Sequence, residues 1–220
     1  MSDTADIVII GGGVIGCAAA YEFSGAGLKV VVLDKGPVGG AASSASAGLI
    51  VPLHATDDGQ RTPLFELYWA SSCLFPQLVS ELEEATAMRV DYDPSGSMRV
   101  ATDDDEQDLL KESFRGWEAM DELTVEWVDG KSLRQDEPDL SPEVRCGVIS
   151  RDEQSIHPGR FTQALARGAI SRGAQIRTGC PATAIRHRDG RFLGVTTPEG
   201  EIDAGELVIA APDAGSTEAD

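Results

Sequence analysis

The chain has 220 residues, a formal net charge of −19 and a hydrophobic content of 41%, which is typical of one or two globular domains. The charge argues against nucleic acid as a partner, because phosphates repel an acidic surface. No apolar run reaches the roughly 18 residues that span a bilayer, and the acidic N-terminus lacks the basic region of a signal peptide, so we expect a cytoplasmic protein without a membrane span.

The first forty residues predict the opening of a βαβ unit. Residues 6–10 are a β-branched run typical of a strand buried on both faces. A glycine-rich turn at residues 11–16 follows, and a helix of small residues is expected over 14–24. Residues 29–33 predict a second buried strand, which ends at Asp34.

The next segment, residues 36–48, is poor in large side chains and by composition alone could be a flexible linker. Apolar residues then recur at helical spacing over residues 63–87. Pro76 lies inside this run, and we expect it to break or kink the helix.

Further along, residues 94–97 carry turn residues between two extended runs, which predicts a β-hairpin of residues 90–93 with 98–101. Asp103 with Glu106 resembles a helix-capping pair and opens a helix to about residue 120; these acids favour the helix dipole rather than a metal site. Asp129 is expected to cap a second, short helix after a strand over residues 125–128.

The last third of the chain predicts strands and one helix in alternation. We expect strands at residues 146–150 and 175–177, a helix at 161–171, a three-stranded meander at 182–187, 192–196 and 201–204, a last buried strand at 207–211 and a polar tail at 212–220.

The four cysteines are far apart in the sequence and form no Cys-x-x-Cys pair. This spacing predicts small buried thiols, without disulfides and without a bound metal. They are Cys17, Cys73, Cys146 and Cys180.

The glycine turn has the GxGxxG spacing of a dinucleotide-binding fingerprint. Gly11 would allow the tight turn, Gly13 would let the backbone approach a pyrophosphate, and Gly16 would permit close packing of helix on strand. Asp34 lies eighteen residues beyond Gly16, where a carboxylate accepts hydrogen bonds from the adenosine ribose.

FAD and NAD share this fingerprint. The run of small residues at 39–48 favours FAD, because a backbone without bulky side chains can follow an extended cofactor, and it disfavours an NAD(P) dehydrogenase.

Residues 44–50, after the glycine turn, resemble the flavin loop of the D-amino-acid oxidase superfamily. More narrowly, eight segments in the same order resemble the glycine oxidases of thiazole biosynthesis, although D-amino-acid dehydrogenases share much of the pattern. These segments are residues 47–52, 64–67, 80–84, 96–100, 125–128, 136–140, 157–161 and 172–179.

The resemblance implies an α/β fold: an FAD-binding Rossmann-like domain with a mostly parallel sheet and an inserted α+β substrate domain, both incomplete. The FAD domain would comprise residues 1–86 and 150–211, with residues 87–149 as the insertion. We expect residues 212–220 to be a polar tail.

The resemblance also assigns cofactor-binding residues position by position. Residues at the pyrophosphate and adenosine would be Gly11, Gly13, Val14, Ile15, Gly16, Asp34, Lys35 and Ala182. Residues along the phosphates and the isoalloxazine ring would be Ser43, Ser44, Ala47, Gly48 and Leu49.

The implied reaction is FAD-dependent oxidation of a small amino acid or amine, with dioxygen or another electron acceptor as the second substrate. In this family a substrate-binding arginine lies in a second half, so the sequence is predicted to be an N-terminal fragment of low activity and we assign no catalytic side chain. The alternatives are an FAD-linked D-amino-acid dehydrogenase and a non-catalytic FAD-binding subunit. A homo-oligomer or a complementing second chain is compatible with either.

Overall fold

The computed structural model describes residues 3–56 and 59–211. The strands are β1 (Asp3–Ile10), β2 (Val30–Leu33), β3 (Leu49–Ile50), β4 (Ser97–Ala101), β5 (Val125–Asp129), β6 (Cys146–Ser150), β7 (Gln154–Ser155), β8 (Gln175–Arg177), β9 (Ala184–Arg188), β10 (Arg191–Thr197) and β11 (Gly200–Ile209). The helices are α1 (Val14–Gly25), α2 (Ala42–Ala45), α3 (Pro63–Thr86), α4 (Asp104–Glu118), α5 (Gly130–Asp136) and α6 (Pro158–Ser171), with a 3₁₀ turn at Pro52–Ala55.

Contacts divide the chain into two units. The first consists of the residues up to Ala47, Val79–Val90 and the residues from His157 onward. It contains a six-stranded sheet in the order β8-β2-β1-β11-β10-β9. Strands β8, β2, β1 and β11 pair in parallel, and β11, β10 and β9 form the predicted antiparallel meander. This arrangement confirms the α/β class and the mainly parallel sheet.

The core of the first unit follows from β-branched strands. All four residues of β2 are buried, as expected for a strand covered on both faces. Val8 of β1, Val31 and Leu33 of β2, and Val195 and Ile202 of the meander form one buried cluster. The meander therefore shares its core with the parallel strands that carry the glycine turn.

Two strands predicted near the C-terminal end are a single strand in the structure. Residues 201–204 and 207–209 both belong to β11, which pairs with β1 from Ile202 to Ile209. Because β10 pairs only with residues 200–203 of β11, the rest of the strand has one neighbour. Ile209 is 48% exposed, so the prediction of a last buried strand is wrong.

The second unit comprises Gly48–Leu78 and Asp91–Ile156. Its sheet has the antiparallel order β4-β6-β5, and β3 forms a separate pair with β7. The predicted hairpin of residues 90–93 with 98–101 is wrong, because β4 pairs with β6 in place of its sequence neighbour. The central strand β6 forms backbone hydrogen bonds with both β4 and β5. This pairing joins residues far apart in the sequence, so turn residues cannot reveal it.

Helix α3 runs through Pro76 without a break, so of the predicted break or kink the break does not occur. Proline lacks the N–H that would bond the carbonyl of Ser72, four residues earlier. The side-chain Nε2 of Gln154 lies 3.5 Å from that carbonyl oxygen and donates to it. No helix in the described part of the chain is long and apolar enough to cross a membrane.

The predicted caps of α4 and α5 are confirmed. Asp103 accepts the N–H of Glu106 at 2.8 Å, and the Glu106 carboxylate accepts the N–H of Thr102 at 2.7 Å. Asp129 accepts the N–H groups of Lys131 and Ser132. These bonds satisfy amides that have no partner inside a helix.

The core of the second unit forms around Trp117 of α4, which is 1% exposed and packs with Leu53 and Val148. Its indole N–H donates to the carbonyl of Thr56 at 2.5 Å. The guanidinium of Arg99 lies 4.7 Å from the centre of the indole ring and forms an ion pair with buried Glu153. Trp117 is therefore a core packing residue of this unit.

Three of the four cysteines are buried, but Cys73 on α3 is exposed, which corrects the expectation of four buried thiols. Burial, with a smaller effect of the Asp34 charge, raises the pKa of the Cys17 thiol to about 12. Burial also raises the pKa of Cys146.

We predict that a maleimide will label one thiol in the native protein at about pH 8, because a buried protonated thiol is a poor nucleophile. Mass spectrometry should place the label on Cys73, with four labels after denaturation. The Cys73→Ser variant should remain unlabelled when native. Rapid labelling of Cys17 in the folded protein would contradict this placement.

Candidate functional site

The glycine turn joins the end of β1 to α1 in a conformation that requires two of its glycines. Gly11 has a φ of +113°, and a Cβ there would lie 2.6 Å from the carbonyl oxygen of Ala210. A Cβ on Gly16 would lie 1.9 Å from the carbonyl oxygen of Gly11. Both contacts are impossible for a side chain, so the turn and its close packing depend on glycine at these positions.

Asp34, at the end of β2, holds this turn through its carboxylate. Oδ2 accepts the N–H of Gly12 at 2.6 Å, and Oδ1 accepts the N–H of Gly36 at 2.7 Å. Each carboxylate oxygen has a further lone pair, so the group can also accept a ribose hydroxyl. The sequence predicted Asp34 as a ligand residue, which stays a prediction, but it did not reveal that Asp34 orders the protein backbone.

The small-residue run folds back against the start of α1. Ser43, in the short helix α2, accepts the N–H of Val14 at 2.9 Å through its hydroxyl. The Ser44 hydroxyl instead donates to the carbonyl of Gly39. Of the two serines predicted to lie along the phosphates, Ser43 is therefore the one at the positive end of the α1 dipole.

Two further glycines complete the turn and were not assigned from the sequence. The N–H of Gly39 donates to the carbonyl of Gly12 at 2.8 Å, and Gly39 is buried with a φ of +67°. A Cβ on Gly12 would lie 3.2 Å from Oδ2 of Asp34. The signal available in the sequence was the additional glycine of the turn at position 12 and the Gly39–Gly40 pair that opens the small-residue run.

Cys17 contributes a side-chain bond to the same turn. Its Sγ lies 3.4 Å from the carbonyl oxygen of Gly12 and donates to it. With a pKa of about 12, the thiol stays protonated and keeps this donor at all ordinary pH values. The residue thus packs and ties the turn, in line with the interpretation of Cys17 as a buried packing residue.

The remaining predicted contacts are more open. Ile15 on α1 and Leu49 on β3 are 68% and 59% exposed, and the side chains of Lys35 and Ala47 are also exposed. Gly48 has a φ of +73° and directly precedes Leu49. Ala182 is half-buried and packs on the core of the first unit.

The turn fits a dinucleotide diphosphate. Gly13 is the N-cap of α1 and offers no side chain, while a Cβ there would lie only 3.0 Å from Ser43 Oγ. The space beside the helix N-terminus therefore stays open because residue 13 is glycine, and helix dipole and backbone amides favour an anion in it. Among the described residues, no group of three or more His, Cys, Asp or Glu side chains is arranged to hold a metal ion.

Comparisons with known proteins agree with this site. The family described as DAO, FAD dependent oxidoreductase, matches residues 6–219. The chain is 30% identical to a glycine oxidase of Bacillus licheniformis, over 94% of this chain and 53% of that protein. It is 31% identical to the mitochondrial dimethylglycine dehydrogenase of Homo sapiens, over 95% of this chain and 23% of that protein. The crystal structure of glycine oxidase from Bacillus cereus ATCC 14579 superposes with a TM-score of 0.87 at 31% identity, covering 94% of this chain and 55% of that one.

The chain therefore belongs to the DAO family of FAD dependent oxidoreductases, and its cofactor is FAD. This confirms the resemblance that the sequence motifs indicated. The chain spans about half the length of the glycine oxidases it matches.

We predict that Gly13→Val abolishes FAD binding, because its side chain would occupy the space beside the helix N-terminus. The same change should cost about 1–2 kcal/mol of unfolding free energy through tighter packing against Ser43. Flavin content and thermal unfolding measure the two effects separately.

Ala26→Val is the matched control, since it adds bulk at an exposed position at the opposite end of α1. It should retain FAD. A Gly13→Val protein that binds FAD as well as the wild type would contradict the placement of the pyrophosphate.

Proposed function

We propose that this chain is the FAD-binding part of an oxidoreductase that oxidises the CH–NH bond of a small amino acid or amine, in the manner of glycine oxidase. The observation that carries the proposal is the start of α1, where Gly13 offers no side chain and Ser43 accepts the N–H of Val14, in a turn held by Asp34. The glycine oxidase relative and the superposed glycine oxidase structure support the substrate class.

In this proposal the residues of the turn bind and orient the cofactor. The N–H groups at the start of α1 that follow Val14 would face the pyrophosphate, and Asp34 would accept the ribose hydroxyls of the adenosine. When bound, FAD supplies the acceptor for the hydride that leaves the substrate Cα, and in an oxidase it passes the electrons to dioxygen to give peroxide. The substrate imine then takes up water and yields the oxo-acid and ammonia.

Leu49 is proposed to line the flavin side of the substrate pocket. Residues 39–48 carry only small side chains, and Leu49 is the first large apolar residue after them. Its side chain is 59% exposed, so it is available to contact a ligand. Ala47 and Gly48 would let the ring approach the backbone just before it.

The domain assignment is also part of the proposal. We infer that the first unit holds FAD and that the second belongs to a substrate domain. The boundaries between the units lie after residues 47, 78, 90 and 156, whereas the sequence predicted boundaries after residues 86 and 149.

Two alternatives keep FAD but change the reaction or the partner. The dimethylglycine dehydrogenase relative supports a dehydrogenase that passes electrons to a carrier. The other alternative is a non-catalytic FAD-binding subunit that is completed by a partner polypeptide. A substrate carboxylate calls for a cation, best a bidentate arginine, and the resemblance carries no such arginine onto these 220 residues.

We predict that residues 1–220 alone bind FAD but produce little or no peroxide from glycine, sarcosine or D-alanine. Peroxide should be assayed in air beside reduction of an artificial electron acceptor. Dye reduction without peroxide would favour the dehydrogenase, and activity restored by added polypeptide would favour the completed subunit. Robust peroxide formation by the 220 residues alone would contradict the expectation of low activity.

A further inference from the structure

Strand β7 links β3, at the end of the segment of residues 44–50, to a second part of the chain. On one side, β7 pairs with β3, with Leu49 opposite Ser155 and Ile50 opposite Gln154. On its other side, Ser155 exchanges two backbone hydrogen bonds with Asp93, both of 2.8 Å. All of these residues belong to the second unit. The position of β3 therefore depends on how firmly β7 is held.

Gln154 is held through both ends of its side-chain amide. Its Oε1 accepts the phenolic O–H of Tyr92 at 2.9 Å, and its Nε2 donates to the carbonyl of Ser72. That carbonyl is the one that Pro76 leaves without its helical donor. The amide orientation in which Gln154 accepts from Tyr92 is thus the same one in which its Nε2 donates to the Ser72 carbonyl of α3.

Among the residues that the structure describes, β3 has few other supports. It is two residues long, and such a short pair is marginal without side-chain support. Leu49 is 59% exposed and so gains little from packing, while Gly48 before it is held by one backbone bond, from the N–H of Ile156 to its carbonyl at 2.8 Å. The hydrogen bond between Tyr92 and Gln154 therefore helps to hold the strand that carries Leu49.

Resting on the proposed function, we propose that Tyr92 is a positioning residue that acts through Gln154 to hold Leu49 and Ile50 in register beside the flavin. Tyr92 acts on the strand that presents Leu49 and needs no contact with FAD or substrate. Burial raises the pKa of the Tyr92 phenol, so the O–H donor is present throughout the neutral range.

The test uses the full chain with FAD and removes one hydroxyl. Tyr92→Phe should speed amide hydrogen exchange in the peptide that contains Leu49 and Ile50 by about fivefold, as expected for one lost hydrogen bond. It should also shift the visible absorption and circular dichroism of bound flavin. Tyr68→Phe, a change at an exposed tyrosine of the same unit, is the control and should change neither.

A second variant addresses the acceptor. Gln154→Leu removes the bond from Tyr92 together with the bond to the Ser72 carbonyl, so it should speed exchange at Leu49 and Ile50 at least as much. Adding Tyr92→Phe to Gln154→Leu should have little further effect, because the bond that Tyr92 makes is already lost. If Tyr92→Phe does not fold, Gln154→Leu carries the same expectation.

Unchanged exchange at Leu49 and Ile50 in folded Tyr92→Phe, or fully additive effects in the double variant, would overturn the positioning role. Faster exchange with an unchanged flavin spectrum would overturn the placement of the strand at the ring. A wild-type protein that takes up no FAD would instead contradict the proposed function, and the exchange data would still decide whether Tyr92 holds β3.

Discussion

The hydrogen bond from the N–H of Gly12 to the carboxylate of Asp34 is the contact on which the site depends. It joins the turn after β1 to the end of β2 over 2.6 Å, and the same carboxylate orders the chain that leaves β2 through Gly36. A hydrogen bond to a charged acceptor contributes about 1.5–3 kcal/mol, more than a neutral one. The carboxylate therefore fixes the turn, while its remaining lone pairs are free for a ligand.

The rest of the site is arranged around Gly12. Its carbonyl accepts the N–H of Gly39 and the thiol of Cys17, so the small-residue run and the first helix are both anchored to one peptide unit. Anchoring at Gly39 brings α2 close enough for Ser43 to bond the first N–H of α1. The same arrangement requires glycine at two positions, since any Cβ at Gly11 or Gly16 would collide with the backbone. The opening for a diphosphate thus results from backbone packing more than from any single ligand residue.

Much of this could be predicted from the sequence, because the signals were local. The buried strands β1 and β2, the glycine spacing and the caps at Asp103 and Asp129 each depend on residues within a few positions of one another. The failures were long-range: β4 pairs with β6 in place of its neighbour, and β11 is one strand because β1 pairs with both of its predicted segments. Likewise, helix α3 continues through Pro76, where Gln154, 82 residues beyond Ser72, donates to the carbonyl that proline leaves free. The roles of Gly12 and Gly39 were missed for the same reason, since they meet only in the folded chain.

The most direct measurement is a titration of the purified chain with FAD, wild type beside Asp34→Asn. The asparagine is nearly isosteric, but it removes the charge and turns one acceptor oxygen into an N–H donor facing a backbone N–H. The account predicts that Asp34→Asn binds FAD at least about tenfold more weakly and unfolds at a lower temperature, since loss of a charged acceptor costs about 1.5–3 kcal/mol. Equal FAD affinity and an unchanged unfolding temperature would contradict the claim that this carboxylate organises the cofactor site.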